Sequence, residues 1–192
     1  MSRVIPRFTG IMEQMAAKNR WVYRGLLLYY KELVRAEVEL GRIRATDRVL
    51  CIGGGPCPIS GILMHEFTGA LVHVVDNDNQ SVAAARDLIH KLGYKESIQI
   101  ECGDGCEIAP QHYEVIHLAA QVSPLERVFH HLRKHSREGT RILIRLPKER
   151  LTHLYEIRDR TVFDHYHAKT DHRWRNVGCT ALFVQLGEDA AL

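Results

Sequence analysis

The sequence predicts an α/β protein: a doubly wound, mostly parallel sheet with an antiparallel edge and an N-terminal helical extension. Three observations carry this expectation. Short apolar runs alternate with segments of helical period along most of the 192 residues. The first of those runs ends in three consecutive glycines, Gly53 to Gly55, as a strand-to-helix turn would. The last two apolar runs follow one another without a helix between them, which suits an antiparallel edge pair.

Each element has its own signal. Residues from about Ile11 to Leu40 read as one helix, because Val22, Leu26, Tyr29/Tyr30, Leu33, Ala36 and Leu40 recur on one face. DRVLCI, ending at Ile52, is the first strand, and Pro58 suits the first turn of the next helix, where its missing N–H costs nothing. Ala70 to Asp76 is the second strand. The following helix turns Val82, Ala85, Leu88/Ile89 and Leu92 inward and stops at Gly93. Ser97 to Asp104 and Tyr113 to Ala120 are the third and fourth strands. Ser123-Pro124-Leu125-Glu126 predicts a helix start with a serine cap, proline in the first turn and glutamate closing a capping box. Thr140 to Pro147 is the fifth strand, followed by a helix through about Arg158. TVFDHYH (Thr161 to His167) and CTALFVQL (Cys179 to Leu186) read as the closing strand pair.

Composition narrows the classes. A formal net charge of +3 names no partner. Charge is uneven, however: Leu125 to Arg175 holds thirteen basic and seven acidic residues, a net of +6 against −3 for the rest, and seven of the twelve histidines. Such a stretch serves an anionic partner or is a solvated face. The five cysteines (Cys51, Cys57, Cys102, Cys106, Cys179) are odd in number and lack zinc-ribbon spacing, so they read as reduced thiols. MSRVIPRFTG lacks a signal-peptide core, and no run of about 18 apolar residues could span a bilayer. The expectation is a soluble, cytoplasmic protein.

In a doubly wound sheet, ligands sit beyond the carboxyl ends of the strands, where strand order reverses. Those ends carry Gly53-Gly54-Gly55, Asp76, Asp104 and Ala119-Ala120. A glycine turn followed about twenty residues later by an acid is the dinucleotide arrangement: glycine admits the ligand and the acid takes ribose hydroxyls. A pyrophosphate, though, wants a fan of N–H donors. Pro56 and Pro58 have none. S-adenosylmethionine, with adenosine, a sulfonium and an amino-acid tail but no phosphate, loses little from the prolines, and Asp104 can accept from an adenine amino group. A NAD-type dinucleotide, or no nucleotide at all, are the alternatives.

The same residues resemble a family. GGGPCPISGILM is similar to the G-x-G-P-x-P-x-[ST] loop of nicotianamine synthases, especially the archaeal ones. The likeness extends through YYKELVRAE (Tyr29 to Glu37), VVDND (Val74 to Asp78), GDG (Gly103 to Gly105), LAAQVSPLERVF (Leu118 to Phe129) and RILIRLPKERLTHLY (Arg141 to Tyr155), covering roughly residues 25 to 186. It implies a Rossmann-like, class I methyltransferase fold. The chain is expected to comprise a helical extension, residues 1–44, and a cofactor-binding Rossmann-like domain, residues 45–192, as a single structural unit. By the resemblance, Gly53, Gly54, Gly55, Pro56, Asp76, Asn77, Asp104, Gly105, Ala119 and Ala120 line the S-adenosylmethionine pocket. Tyr30, at the tyrosine of the family's Y-x-x-L-x-R-x-E helix, reaches over it as the candidate catalytic residue. The family also carries an N-terminal helical domain that closes the cavity and supplies a glutamate. Only about 45 residues precede the first strand here, and Glu13 is the only acid before Glu32.

The expected function is therefore transfer from a sulfonium to a small-molecule acceptor, by in-line displacement at carbon. Without a matching lid and glutamate, methyl transfer is narrowly favoured over 3-amino-3-carboxypropyl transfer, the family's reaction. Other readings are an RNA-binding or RNA-modifying module using residues 125–175, and a non-catalytic binder partnered by another subunit; a homodimer is possible. Plainer readings stand beside these. Asp76 and Asp104 could cap helices, and one of Tyr29 and Tyr30 belongs to the core. His165 and His167 on one strand face, or His131 and His135 on one helix face, suggest a metal, but scattered surface histidines are the expectation and no metal is assigned. Trp174 could stack a base or anchor a hairpin.

Overall fold

The structure, a computed structural model, describes residues 20–149, 151–152, 157, 159–172 and 176–187. In chain order these form α1 (Arg20–Gly41), β1 (Arg48–Ile52), α2 (Ile59–Thr68), β2 (Leu71–Asp76), α3 (Asn79–Leu92), β3 (Ile98–Cys102), β4 (Val115–Leu118), α4 (Leu125–His135), β5 (Arg141–Pro147), β6 (Ala168–Asp171) and β7 (Val177–Val184). Short 3-10 turns, Pro110–His112 and Arg160–Phe163, lie before β4 and β6.

The strands make one seven-stranded sheet in the order β3-β2-β1-β4-β5-β7-β6. β1 to β5 pair in parallel, and β7 runs antiparallel to both β5 and β6. The chain walks outward from β1 to β3 and then returns to β4 on β1's other side, so order reverses between β1 and β4. A crevice opens there, beyond the carboxyl ends of the two strands.

Alternation along the central strands builds two cores. Val49 and Cys51 of β1 join Val72 and Val74 of β2 under α1, α2 and α3, with Leu33, Val34, Ile62, Met64, Val82 and Ile89 as the covering side chains. Leu50 and Ile52 face the opposite way, with Ile116 and Leu118, onto Leu125, Val128, Phe129 and Leu132 of α4. Phe129 meets Phe183 and Phe163 at ring separations of 4.7 and 5.3 Å. Strands covered on both faces need apolar runs, which is how Val49 to Ile52 of β1 reads; β4 is apolar but for the buried His117.

Local chemistry sets several boundaries. Gly93 ends α3 in the left-handed region, φ +80°, as its position predicts. Asp78 starts the same helix, its carboxylate accepting from the amides of Gln80 and Ser81.

Elsewhere the structure departs from expectation. α4 begins at Leu125 with Pro124 ahead of it in extended conformation, so the proline is not in the first turn and no side chain caps Pro124's position. Glu126 instead accepts from the Asp159 amide at 3.3 Å. The closing pair exists, but Thr161 to Phe163 lie in a 3-10 turn and the strand beside β7 is Ala168–Asp171. An edge strand forms where it can register with its partner, here Ala168 opposite Leu182 and Thr170 opposite Thr180, whatever alternation precedes it. His165 and His167 therefore precede the strand. Beyond β5 the chain turns at once, Leu151 N bonding Lys148 O at 2.7 Å; most of the helix expected through Arg158 lies outside the described residues. So do the start of the N-terminal helix, Glu13 and Trp174.

Candidate functional site

A cleft of about 400 Å³, counted to its open mouth, lies at the β1–β4 crevice. Its wall is built from the β1–α2 turn (Gly53, Gly54, Cys57, Pro58), the first turn of α2 (Ile59, Ser60, Gly61), Val74 of β2, His117, Ala119 and Gln121 at the end of β4, Arg145 of β5, and Tyr30 of α1. A broader hollow lined by Arg48, His73, Lys95 and Tyr113 lies toward the opposite ends of the strands and holds none of the predicted residues.

The glycine turn is there because nothing larger fits. Gly53 has φ +81°, and a Cβ at Gly54 would stand 2.1 Å from Val74 Cγ1. The turn therefore packs flat on β2. Pro58 sits just ahead of α2, where its carbonyl takes the helix's Ile62 amide at 3.0 Å.

Asp76 ends β2 within reach of that turn. Its Oδ2 accepts from Gly55 N at 2.7 Å and its Oδ1 from Asp78 N at 3.0 Å. The cap of α3 is Asp78, so Asp76 is not a helix cap. Asn77, between the two acids, is exposed. Beside β2, Gly103 N bonds Asp76 O at 3.1 Å, which brings the β3 end alongside. There Asp104 Oδ1 accepts from Cys106 N at 2.8 Å, and Gly105 packs close to Ile52 and Val128. Ala119 N bonds Ile52 O at 3.1 Å, placing Ala119 and buried Ala120 across the crevice from the glycines.

The structure thus gathers Tyr30, Gly53, Gly54 and Ala119 on the cleft wall itself. Gly55, Pro56, Asp76, Asn77, Asp104, Gly105 and Ala120 stand along the same carboxyl edge, outside the narrow inner cleft.

Beneath the inner end lies a group that the sequence reading did not single out. Glu37, wholly buried on α1, accepts from Arg145 Nε at Oε1 and from Arg145 Nη2 at Oε2, both at 2.7 Å. The Thr180 hydroxyl of β7 also donates to Oε1 at 2.7 Å, and His172 Nε2 lies 2.9 Å from the Thr180 oxygen. With the Thr180 proton committed to Glu37, His172 Nε2 is the donor in that second contact. His117 Nε2 is 3.5 Å from Oε1, an electrostatic neighbour without hydrogen-bond geometry.

Burial opposes ionisation of Glu37, but the Arg145 guanidinium holds its carboxyl well below the usual carboxylate range. Burial lowers the basicity of His117, so it is neutral. Burial also pushes the Cys51 thiol up to about 12, which leaves this cleft cysteine no thiolate to attack with. Tyr30 stacks over the guanidinium, 5.5 Å from ring centre to Cζ, and the Tyr29 ring stands nearly perpendicular to that of Tyr30, centroids 5.1 Å apart. Two signals pointed to this group. Arg145 interrupts an apolar central strand, and Glu37 stands seven residues, two helical turns, beyond Tyr30.

Among the described residues of the basic stretch, four side chains are paired with acids. Arg137 pairs with Glu114, Arg141 with Asp47, Arg145 with Glu37 and Lys169 with Asp171. Among the described residues, no cluster of three metal-ligating side chains occurs, and no helix is long and apolar enough to cross a membrane.

Comparison with known proteins places this geometry. L-histidine 2-aminobutanoyltransferase from Pseudomonas aeruginosa is 26% identical over 140 residues, covering 71% of this chain and 50% of that one. The chain spans about half the length of the curated relatives it matches there. Crystal structures of MtNAS superpose with TM-scores of 0.81 for a mutant, 0.74 for the mutant in complex with S-adenosylmethionine, and 0.75 for a complex with MTA and tNA. Identities are 24, 25 and 26%, covering 92 to 93% of this chain and 69 to 72% of those. A putative S-adenosyl-L-methionine-dependent methyltransferase from Methanococcus maripaludis shares the fold, with a TM-score of 0.67 over 92% of this chain and 95% of that one, at 15% identity. The family described as nicotianamine synthase protein matches residues 16–174, and the chain belongs to that family.

Proposed function

We propose that the cleft binds S-adenosylmethionine and that the protein transfers its 3-amino-3-carboxypropyl group to a nitrogen of a small, amino-acid-like acceptor. The observation that carries this reading is the glycine turn closed by Pro56 and Pro58 with acids at the next two strand ends. That turn packs flat against Val74 and lacks the amide donors a pyrophosphate needs, so it suits a nucleoside without phosphate. Asp76 keeps lone pairs beyond its two amide contacts and can take ribose hydroxyls, while Asp104 stands one strand further out for the base.

Group identity rests on the relatives. The 2-aminobutanoyl unit in the name of the Pseudomonas aeruginosa relative has the same four-carbon 2-amino-acid skeleton as the arm carried by the S-adenosylmethionine sulfonium. MtNAS has been crystallised with MTA, the thioether left once that arm departs. The methyl transfer favoured from the sequence has weaker support: the methyltransferases superpose at identities that speak to the fold alone.

The chemistry supplied by the bound sulfonium is displacement at carbon: an acceptor nitrogen forms a C–N bond as the C–S bond breaks, methylthioadenosine leaves, and the nitrogen loses a proton. The residues of this chain supply alignment. The glycine turn and Ala119 fix the nucleoside between them. Tyr30 overhangs the inner cleft and orients the acceptor through its hydroxyl. Cys51 stays protonated and takes no part as a nucleophile.

Product analysis tests the reading. Protein incubated with S-adenosylmethionine and amino acids, L-histidine among them, is expected to yield methylthioadenosine and an acceptor heavier by the aminocarboxypropyl mass. S-adenosylhomocysteine as the sole nucleoside product would reinstate methyl transfer.

A further inference from the structure

Arg145 is the sole side chain of fixed charge among the described residues lining the cleft. The remainder of that wall is glycine, proline, apolar or neutral polar, His117 included, because burial keeps it unprotonated. A lone guanidinium in a narrow, partly desolvated cleft would repel any second cation placed there. Glu37 lies directly behind it, fully out of water, and takes both Arg145 Nε and Nη2 at 2.7 Å. Its position is over-determined: α1 carries the carboxylate, while β4, β5 and β7 present His117, Arg145 and Thr180 to it.

Stability alone does not call for such a pair. Apolar side chains of similar volume in place of a buried ion pair are often neutral or stabilising. The pair does change what the cleft can accept. Arg145 keeps the shape and polar face it presents beside Tyr30, while its charge is cancelled from below.

We propose that Glu37 is a specificity-determining residue whose charge cancels Arg145 and so lets the cleft admit a cationic sulfonium. The inference rests on reading the cleft as the S-adenosylmethionine site. S-adenosylmethionine and S-adenosylhomocysteine share adenosine and the amino-acid tail; they differ by one methyl and by the positive charge on sulfur. Glu37 therefore governs the ratio of the two affinities more than either affinity alone.

Calorimetric titration of the whole protein with both ligands tests this. Glu37→Gln keeps the shape of the side chain and removes its charge. S-adenosylmethionine is expected to weaken at least tenfold, about 1.4 kcal/mol, with S-adenosylhomocysteine within threefold of wild type. Arg145→Gln removes the cation, and Glu37, buried without it, takes up a proton, so the cleft stays neutral and the ratio should stay within threefold of wild type. Glu37→Met removes the charge at similar volume; it should lower the ratio as Glu37→Gln does, and it serves if Glu37→Gln does not fold. A structural role would shift both ligands together in both Glu37 variants, and that result overturns the proposal. Tighter binding of both ligands by Glu37→Gln overturns it too, since Arg145 would then be holding the shared carboxylate. Wild-type protein that binds neither ligand sinks the reading of the cleft itself, a result distinct from any of these.

Discussion

Asp76 is the residue where the demands of the fold and of the proposed ligand meet. Its two oxygens already hold the amides of Gly55 and Asp78, at 2.7 and 3.0 Å, so the glycine turn is shaped before any ligand arrives. Reading the sequence alone makes Asp76 either a ligand contact or a helix cap. The structure makes it a brace for the turn and gives the cap to Asp78, two residues on. Asp76→Ala strands the Gly55 amide, which costs about 1–3 kcal/mol. It should lower the melting temperature of the ligand-free protein by several degrees. It should also weaken S-adenosylmethionine at least tenfold, through lost bonds to the ribose. Reduced stability with full affinity would confine Asp76 to the turn.

At the scale of elements, α1 is the part whose placement matters most. Arg141 of β5 donates to the carbonyls of Gly41 and Arg42 at 2.7 and 2.8 Å, and to Asp47 at 2.8 Å, gripping the carboxyl end of the helix. One turn earlier, the Glu37–Arg145 pair grips it again. Tyr30 lies on the same face as Glu37 and is thereby held over the cleft. Tyr30→Phe keeps the ring that stacks on Arg145 and deletes only the hydroxyl. Affinity for S-adenosylmethionine should stay within about threefold, because one neutral hydrogen bond nets about 0.5–1.5 kcal/mol. Turnover should fall by about 10², as for a lost positioning or proton-transfer group. A variant that turns over like wild type would make Tyr30 part of the wall.

For the whole molecule, the buried polar group contributes to the response to acid, beside His73, whose basicity burial also lowers. Glu37 and His117 both titrate at lower pH in the folded protein than in the unfolded chain, so below their ordinary values the unfolded chain binds more protons. The contribution of His117 is present above 6.5 and is lost as pH falls from there. That of Glu37 is present above 4.5 and erodes as pH falls further. Melting temperature should therefore hold near neutrality, decline below about pH 6.5 and decline more steeply below about pH 4.5. His117→Gln should flatten the first part of the decline; an unchanged slope there would assign it to other groups.

By itself the sequence determined whatever depends on near neighbours along the chain. Apolar period separates α3 from β2. Gly93 stops α3 because only glycine takes φ +80° freely. Three glycines and two prolines mark the turn where the strand order reverses, so Gly53, Gly54 and Ala119 were legible as cleft residues beforehand. Tertiary structure alone decided the rest. β6 lies seven residues later than its alternation suggests, because an edge strand is defined by the hydrogen bonds its partner offers. Arg145 looked like one basic residue among thirteen. It became a neutralised wall of the cleft only when folding brought it against Glu37, 108 residues away in the chain. Periodicity and backbone preference act over a few residues, whereas a buried charge is settled by whatever counter-charge the completed fold places beside it.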